Sequence, residues 1–256
     1  MRTHFSQWSL TFPFDRQRYI LLTILNIEGK GMEGVPTLAD LGFSATSDAP
    51  QFVGFEHPWT LLDPNHSSGL KQQFSNLSLS ESSVAGEIHP SCVLDDSGGP
   101  IKIEQGAVVG PFVLIEGPAY IGRGVEVRQG AFVRPYTWAC EESVIGHATE
   151  IKHSLLMPGA KAPHFNYVGD SLLASGVNLG AGSVLSNLRH DGAEVVLRLG
   201  DEHVPTGLRK FGAILGRDVQ IGCNAVTNPG TILGSGSSVW PNACVLGLHP
   251  AGCSLR

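Results

Sequence analysis

Aliphatic residues recur at every sixth position along much of the chain. From the first hundred residues onward they are Ile103, Val109, Ile115, Ile121, Val127, Val133, Ala139, Ile145, Ile151 and Met157, and the pattern resumes at Leu215, Ile221, Thr227, Leu233, Val239 and Val245. A small or β-branched residue tends to lie four places after each, and glycine often follows directly. Neither an α-helix nor a simple alternating strand gives this spacing, which is typical of a β-helix.

The physical basis of the repeat is a triangular coil. Each hexad forms one short strand with its aliphatic residue pointing to the axis, and stacked coils bury a continuous core. The sequence therefore predicts an all-β fold: a parallel β-helix over residues 86–250, with a loop insertion at about 188–212. Residues 1–85 lack the repeat and are predicted to form a small appendage of mixed or irregular structure, with a short helix around Ser67–Leu77. We expect this appendage to cap an open end of the coil, where strand edges would otherwise be exposed.

Composition narrows the range of partners and compartments. The 32 glycines and 16 prolines, with only 16% charged residues, agree with turns and strands. A net charge of −6 argues against nucleic-acid or polybasic membrane partners and leaves small anionic metabolites as possible ligands.

The cysteines and the apolar run near the start of the chain bear on its compartment. The five scattered cysteines contain no C-x-x-C pair, which favours a reducing compartment over a disulfide framework. The apolar run "YILLTILNI" is too short to span a bilayer, so a cytoplasmic protein is predicted.

Two cations should lie side by side on the outside of the coil. Three hexads make one coil, so residues 18 apart stack on adjacent coils, about 4.8 Å from each other. Arg134 and Lys152 have this spacing, and each follows an inward aliphatic residue. Stacked like charges are destabilising unless an anion lies between them. Glu150 could supply that anion, but a phosphate bound by the Arg fork and the Lys point charge is the preferred interpretation.

His164 lies in the stretch "KAPHFNYVGD", where the hexad register changes. Counting from Met157, it directly follows an inward position and projects outwards. The register then slips within "PHFNYV", since the next hexads begin at Val168 and Leu173. A local break in a regular pattern, next to Tyr167 and to the cation pair, favours a functional histidine that titrates near neutrality.

A zinc site is the alternative for the histidines. His147, His153 and His164 could bind metal, as histidines do in hexapeptide-repeat carbonic anhydrases. Their spacings of six and eleven do not match the widely separated histidine and close pair of that family. No metal is therefore predicted.

The run Val133–Asn187 carries a more specific likeness. Its motifs "RP", "EIK", "HFNYVGD" and "VNLGAG" resemble the acetyltransferase half of bacterial bifunctional N-acetylglucosamine-1-phosphate uridylyltransferase, one of the hexapeptide-repeat acyltransferases. The likeness covers residues 88–245 apart from the insertion. It implies a left-handed β-helix, a homotrimer, acetyl-CoA as co-substrate and N-acetylation of an amino-sugar phosphate, with glucosamine 1-phosphate as the leading candidate.

The resemblance also assigns residues to roles. It implies His164 as the catalytic base. The substrate-binding residues that it implies are Arg134, Lys152, Tyr167 and Asn178, and the cofactor-binding residues are Ala181, Asn187, Cys223 and Pro241. The chain departs from the family at Pro163 for Gly, Leu188 for Tyr, Cys223 for Ser and Gly212 for a sugar-binding Lys, which Lys210 can replace.

Two further expectations concern activity. Residues 1–85 contain no Gly-rich nucleotide-binding loop, so nucleotidyl transfer is not expected from this chain. A catalytically silent trimeric scaffold that binds a sugar phosphate or nucleotide sugar is the alternative function. Leu188 and the ending "AGCSLR", where the family has a basic tail that helps bind CoA, favour it.

Overall fold

The computed structural model describes residues 34–77, 81–199 and 201–256, and almost all of its regular structure is β. Three parallel sheets, of nine, nine and eight strands, form the sides of a β-helix. The first sheet contains Ser83–Val84, Ile101–Ile103, Ala119–Ile121, Thr137–Ala139, Leu155–Leu156, Leu172–Leu173, Ala213–Leu215, Thr231–Leu233 and Leu248–His249. The second contains Glu87–Ile88, Val108–Val109, Glu126–Val127, Val144–His147, Lys161–His164, Asn178–Leu179, Gln220–Ile221, Ser238–Val239 and Ser254–Leu255. The third contains Val93–Asp95, Leu114–Glu116, Phe132–Val133, Glu150–Lys152, Tyr167–Gly169, Val184–Leu185, Val226–Thr227 and Cys244–Val245.

The remaining elements lie outside the coil. Val196–Leu199 and Glu202–Pro205 form an antiparallel hairpin within the insertion. The appendage contains a 3-10 helix, Pro58–Leu62, and one α-helix, Leu70–Asn76, here called α1. No helix within the described ranges has the length and apolar character needed to cross a membrane.

The core of the coil is a single column of inward-facing aliphatic residues. Ile121, Val127 and Val133 occupy the three sides of one coil and are almost completely buried, and the same holds along the solenoid. Removing apolar surface from water in this way stabilises the folded chain by roughly 25 cal/mol per Å² buried. The predicted parallel β-helix is therefore confirmed, and the aliphatic spacing is its cause.

The corner between the third and first sheets differs in length from coil to coil. The inward residues Ile151 and Leu156 are five apart across this corner, as are Val168 and Leu173 on the next coil. One coil further, the same corner holds the insertion, between Leu185 and Leu215. The two shortened corners and the insertion therefore stack on one another.

The predicted register slip was wrong in its position. Leu156 rather than Met157 faces the axis, and Met157 packs outside the coil. The segment "PHFNYV" keeps its register, because Ala162 and Val168 are both inward and six apart. His164 therefore lies two residues after an inward position, at the end of its strand, and not directly after one.

The described part of the appendage packs against the outer face of the first sheet. Trp59, Leu70 and Phe74 join a second buried cluster that includes Tyr120 and Trp138 of that sheet. Residues 34–77 therefore cover the side of the coil and do not form the cap at its end that the sequence predicts for the appendage. The apolar run "YILLTILNI" lies outside the described residues.

Candidate active site

A cavity of about 530 Å³ lies beside the irregular corners. Its lining comes from the third-to-first corners, from the appendage and from the insertion: Leu62, Asp63, Pro64, Asn65, Lys71, Arg134, Pro135, Tyr136, Lys152, His153, Asp170, Gly207, Leu208, Arg209 and Lys210. Its volume is within the range of small-molecule sites, roughly 300–1,000 Å³. The repeat is thus interrupted where the chain forms a concave, basic surface.

The shortened corners place a histidine and an aspartate in contact. His153 and Asp170 have positive φ values of 42° and 46°, a conformation that residues of these types adopt more readily than most. His153 Nδ1 lies 2.9 Å from Asp170 Oδ1, and Lys152 Nζ donates to Asp170 Oδ2 at 3.2 Å. Asn187 Nδ2 also donates to Asp170 Oδ2. Asp170 therefore links Lys152, His153 and Asn187 across adjacent coils.

The Asp170 carboxyl is ionised in this setting. Burial alone would raise its pKa, but the hydrogen bond and charge of His153, the charge of Lys152 and the hydrogen bond from Asn187 outweigh burial. The pKa of Asp170 is therefore below its usual value. The charge of Lys152 is compensated within the protein.

Two serines connect the stacked corners. Ser154 Oγ donates to the carbonyl of Lys152 and accepts from the N–H of Ser171 at 3.0 Å. Ser171 Oγ in turn donates to the carbonyl of Gly169 and accepts from the N–H of Ala213 at 3.0 Å. These buried bonds satisfy backbone groups that the shortened corners would otherwise leave unpaired.

Arg134 lies beside Lys152, as the column rule predicts, because Val133 and Ile151 are register partners. Arg134 Nη1 also forms an ion pair with Glu150 Oε1 at 2.8 Å. Glu150 is the carboxylate that the sequence analysis gave as the alternative to a bound phosphate, and the structure pairs it with Arg134. Both side chains of this pair are more than one-third exposed, so it contributes no more than about 1 kcal/mol and leaves the guanidinium open to competition from another anion.

Tyr167 lies between this cavity and His164. Tyr167 is the register partner of Glu150 on the third sheet. It follows His164 by three residues and precedes Asp170 by three, and three residues of extended chain span about 10 Å. The pKa of its phenol is raised by burial and by the charges of Asp170 and Glu150, while Asn187 and Arg134 act in the opposite direction. Tyr167 is therefore a neutral hydrogen-bonding group on the third face.

His164 lies at a different corner, between the second and third sheets. Its carbonyl accepts from the N–H of Gly182 at 3.0 Å. In the same way, the carbonyl of Ala181 accepts from the N–H of Asn224 at 2.8 Å. The carbonyl of Cys223 accepts from the N–H of Asn242 at 2.9 Å. His164, Ala181, Cys223 and Pro241 thus occupy equivalent positions on four consecutive coils.

The side chain of His164 is exposed. Its backbone N–H donates to Asn166 Oδ1 at 3.0 Å, and Asn166, which is only 3% exposed, donates to the carbonyl of Gly180 at 2.8 Å. Asn166 therefore fixes the backbone from which His164 projects.

The predicted site residues fall into three groups. Arg134, Lys152 and Lys210 line the cavity, and Tyr167 and Asn187 adjoin it. The second group is the corner column of His164, Ala181, Cys223 and Pro241. Asn178 belongs to neither, since it lies on the second sheet opposite Lys161.

Four lining residues were not predicted to bind substrate: Lys71, Asp170, Arg209 and His153, the last of which was considered only as a metal ligand. The 18-residue spacing does not place Asp170, because the coil after Lys152 is one residue shorter and the register partner of Lys152 is Gly169. No repeat-based signal places Lys71 or Arg209, which lie outside the coil.

The histidines do not gather as a metal site would require. His147 is the register partner of His164, whereas His153 lies at the other corner with Asp170. Within the part of the chain that the structure describes, no group of three His, Cys, Asp or Glu side chains could hold a metal ion.

Comparison with known proteins relates the chain to bifunctional enzymes. It is 35% identical over 188 residues to "Bifunctional protein GlmU" of Methanococcus aeolicus, covering 73% of this chain and 43% of that protein. It is 42% identical over 96 residues to "Bifunctional sugar-1-phosphate nucleotidylyltransferase/acetyltransferase" of Sulfurisphaera tokodaii, covering 38% of this chain and 24% of that protein. The resemblance predicted from the motifs is confirmed, and the chain spans less than half the length of these relatives.

Two further comparisons add little. No protein-family model matches the chain. Among solved structures, the acetyltransferase domain of PglB from Neisseria gonorrhoeae FA1090 covers 65% of this chain and 52% of its own, with 14% identity and a TM-score of 0.17. A score this low supports no inference about the chain.

Proposed function

We propose that this chain transfers the acetyl group of acetyl-CoA to the amine of an amino-sugar phosphate, with glucosamine 1-phosphate as the first candidate. The observation that carries the proposal is the arrangement of two sites joined by one face: a basic cavity at one corner, Tyr167 in the middle and an exposed histidine at the next corner. The relatives' names, which include sugar-1-phosphate and acetyltransferase, agree with it.

The phosphate end of the substrate binds in the basic cavity. Arg134 provides a planar fork and Lys152 a point charge at the end of the third face. Tyr167 offers a neutral hydroxyl to the sugar ring further along that face. A substrate held in this way extends from the cavity towards His164.

His164 acts as the general base. An exposed imidazole can take the proton of the attacking amine, a role for which histidine is the most common side chain. The amine nitrogen attacks the thioester carbon, the carbon–sulfur bond breaks, and the products are the amide and free CoA thiol. Asn166 fixes the backbone of His164 and so directs the base.

Acetyl-CoA lies along the corner column that contains His164. The small side chains at Ala181 and Cys223 leave room beside the solenoid for an extended ligand, and this direction brings its thioester to the histidine. Phe165, adjacent to His164, is 56% exposed, and Phe112, at the same corner three coils earlier, is 68% exposed. We include in the proposal a C3 homotrimer in which a neighbouring coil covers these residues and closes the coenzyme site.

The test is release of CoA thiol with glucosamine 1-phosphate and with galactosamine 1-phosphate. His164→Ala should lower kcat at least about 100-fold, the usual contribution of a general base. His147→Ala is the matched control, since His147 occupies the equivalent position on the preceding coil, and it should keep wild-type kcat. Equal rates for His164→Ala and wild type would exclude His164 as the base. No release from either sugar by folded wild-type protein would exclude acetyl transfer to these substrates and favour the silent scaffold.

A further inference from the structure

The two cations identified from the repeat are already paired inside the protein. Arg134 is bound to Glu150 at 2.8 Å and Lys152 to Asp170 at 3.2 Å. Three other cations line the same cavity: Lys71, Arg209 and Lys210. Among the described residues, none of these three has a carboxylate within ion-pairing distance. The uncompensated positive charge of the cavity therefore comes from segments outside the β-helix.

Lys71 is positioned by α1. Leu70 is fully buried and Phe74 is 5% exposed, so this face of the helix packs on the coil. The Phe74 ring meets Trp138 edge-on, with ring centroids 5.0 Å apart. Lys71 Nζ lies 5.4 Å above the ring of Tyr136, a cation–π contact on the wall of the cavity. The appendage thus holds an ammonium group at the site by packing that the repeat does not provide.

Arg209 and Lys210 are positioned by the insertion. The neighbouring Leu208 is 5% exposed, and Lys210 forms an isolated bridge with Leu188. Phe211 is fully buried and its ring lies 6.4 Å from that of Trp59 in the appendage. The insertion and the appendage therefore pack against each other and contribute cations to one cavity.

The cavity is basic in an acidic chain. Its lining holds five Lys or Arg side chains and two Asp side chains, whereas the whole chain has a net charge of −6. A concave surface of one sign concentrates ligands of the opposite charge. His153, also in the lining, has its Nε2 buried without a hydrogen-bond partner in the described structure, which is expected where a ligand or ordered water completes a site.

We propose that Lys71 of the appendage, with Arg209 and Lys210 of the insertion, binds the phosphate dianion of the substrate. This inference rests on the proposed function for the identity of the substrate. Arg134 and Lys152, each sharing its charge with a carboxylate, orient the group, while the three uncompensated cations carry enough positive charge to neutralise its two negative charges. Preference for a phosphorylated over a free amino sugar is then set by segments outside the repeat, and the appendage is part of the substrate site.

The experiment compares Lys71→Met with Lys102→Met in the full chain. Lys102 is a matched control, because its Nζ also lies over a tyrosine ring, 5.6 Å from that of Tyr120, but away from this cavity and paired with Glu104 at 2.8 Å. Methionine keeps an apolar stem of similar length and removes the charge. Calorimetry measures Kd for glucosamine 1-phosphate, inorganic phosphate and free glucosamine, and circular dichroism verifies folding.

We expect Lys71→Met to raise Kd for glucosamine 1-phosphate and inorganic phosphate at least about tenfold, the loss of one charge-assisted contact. Lys102→Met should bind both like wild type, and glucosamine affinity should be the same in all three proteins. Unchanged phosphate affinity in Lys71→Met would overturn the inference while leaving acetyl transfer intact. Absence of acetyl transfer, with Lys71-dependent phosphate binding retained, would overturn the proposed reaction but support the anion site. Failure of wild type to bind either anion would overturn the inference.

Discussion

Replacing Asp170 with asparagine should destabilise the fold by about 3 kcal/mol. The Asp170 side chain is 5% exposed and accepts hydrogen bonds from His153, Lys152 and Asn187. Asparagine has nearly the same shape and tolerates the positive φ of this corner, so the backbone should not be strained. It has one acceptor oxygen in place of two, and its amide NH₂ must then face a donor.

The magnitude follows from the bonds lost. His153 uses one carboxylate oxygen, whereas Lys152 and Asn187 share the other, so either orientation of the amide breaks at least one charge-assisted bond. Each such bond contributes about 1.5–3 kcal/mol, and removing one member of a buried ion pair costs about 3–5 kcal/mol. Lys152, whose side chain is 17% exposed, would be left without its carboxylate.

Urea denaturation at pH 7 measures the difference, with Asp218→Asn as the control. Asp218 has a similar positive φ of 59° but is exposed, and its variant should lie within about 0.5 kcal/mol of wild type. The pH dependence gives a second check. The pKa of Asp170 is lower in the folded state, so its stabilisation is complete above the unfolded value of about 3.9 and is lost as pH falls through the folded value. The difference between wild type and Asp170→Asn should therefore be constant from pH 7 to about pH 5 and shrink below about pH 4. A loss of less than about 1 kcal/mol at pH 7, or a difference that grows on acidification, would refute the reasoning.

Three further outcomes are expected. Gly146→Ala should lower the free energy of unfolding, measured by urea denaturation, by about 2–3 kcal/mol, because a Cβ there would overlap the backbone of Pro163. Gly159→Ala, where there is open space but φ is 73°, should lower it by only about 1 kcal/mol. Equal losses in the two variants would contradict the steric explanation. Trp59→Ala should lower stability by about 3–5 kcal/mol, since Trp59 is 2% exposed between the appendage and the coil, while Trp240→Ala, at 48% exposed, should cost about 1 kcal/mol or less. Lys210→Met should weaken sugar-phosphate binding measured by calorimetry at least about tenfold without changing the urea midpoint, and a midpoint shift matching the loss of binding would indicate a structural role instead.

The repeat itself was readable from the sequence because its cause is local. An inward aliphatic residue at every sixth position is sufficient to specify a three-sided coil, and a spacing of 18 is sufficient to place Arg134 beside Lys152. The motif around His164 likewise identified a residue that the structure leaves exposed at a corner. None of these inferences needed a contact between distant segments.

The length of the corner after Ile151 could not be read in the same way. "SLLM" presents consecutive apolar residues, so Met157, six residues after Ile151, satisfies the inward position by spacing although Leu156 occupies it. The ambiguity has a physical origin: the first sheet is buried on both faces, with Leu156 towards the axis and Leu155 in the cluster beneath the appendage. A strand covered on both sides loses the alternation that reveals register. The shortened corner between Ile151 and Leu156, and with it the contact of His153 with Asp170, therefore appears only in the folded chain, whereas the spacing from Val168 to Leu173 was read correctly from the sequence.

Sequence alone determined the β-helix and the adjacency of Arg134 and Lys152, because hexad spacing is a local property of the chain, and the motif around His164 identified the candidate histidine. Only the tertiary structure decided which cations are paired and which are not. It placed Lys71 and Lys210, 139 positions apart in the sequence, on one cavity by packing the appendage and the insertion against the coil. Electrostatic compensation depends on distance in space, and a repeat fixes that distance only for residues that belong to it.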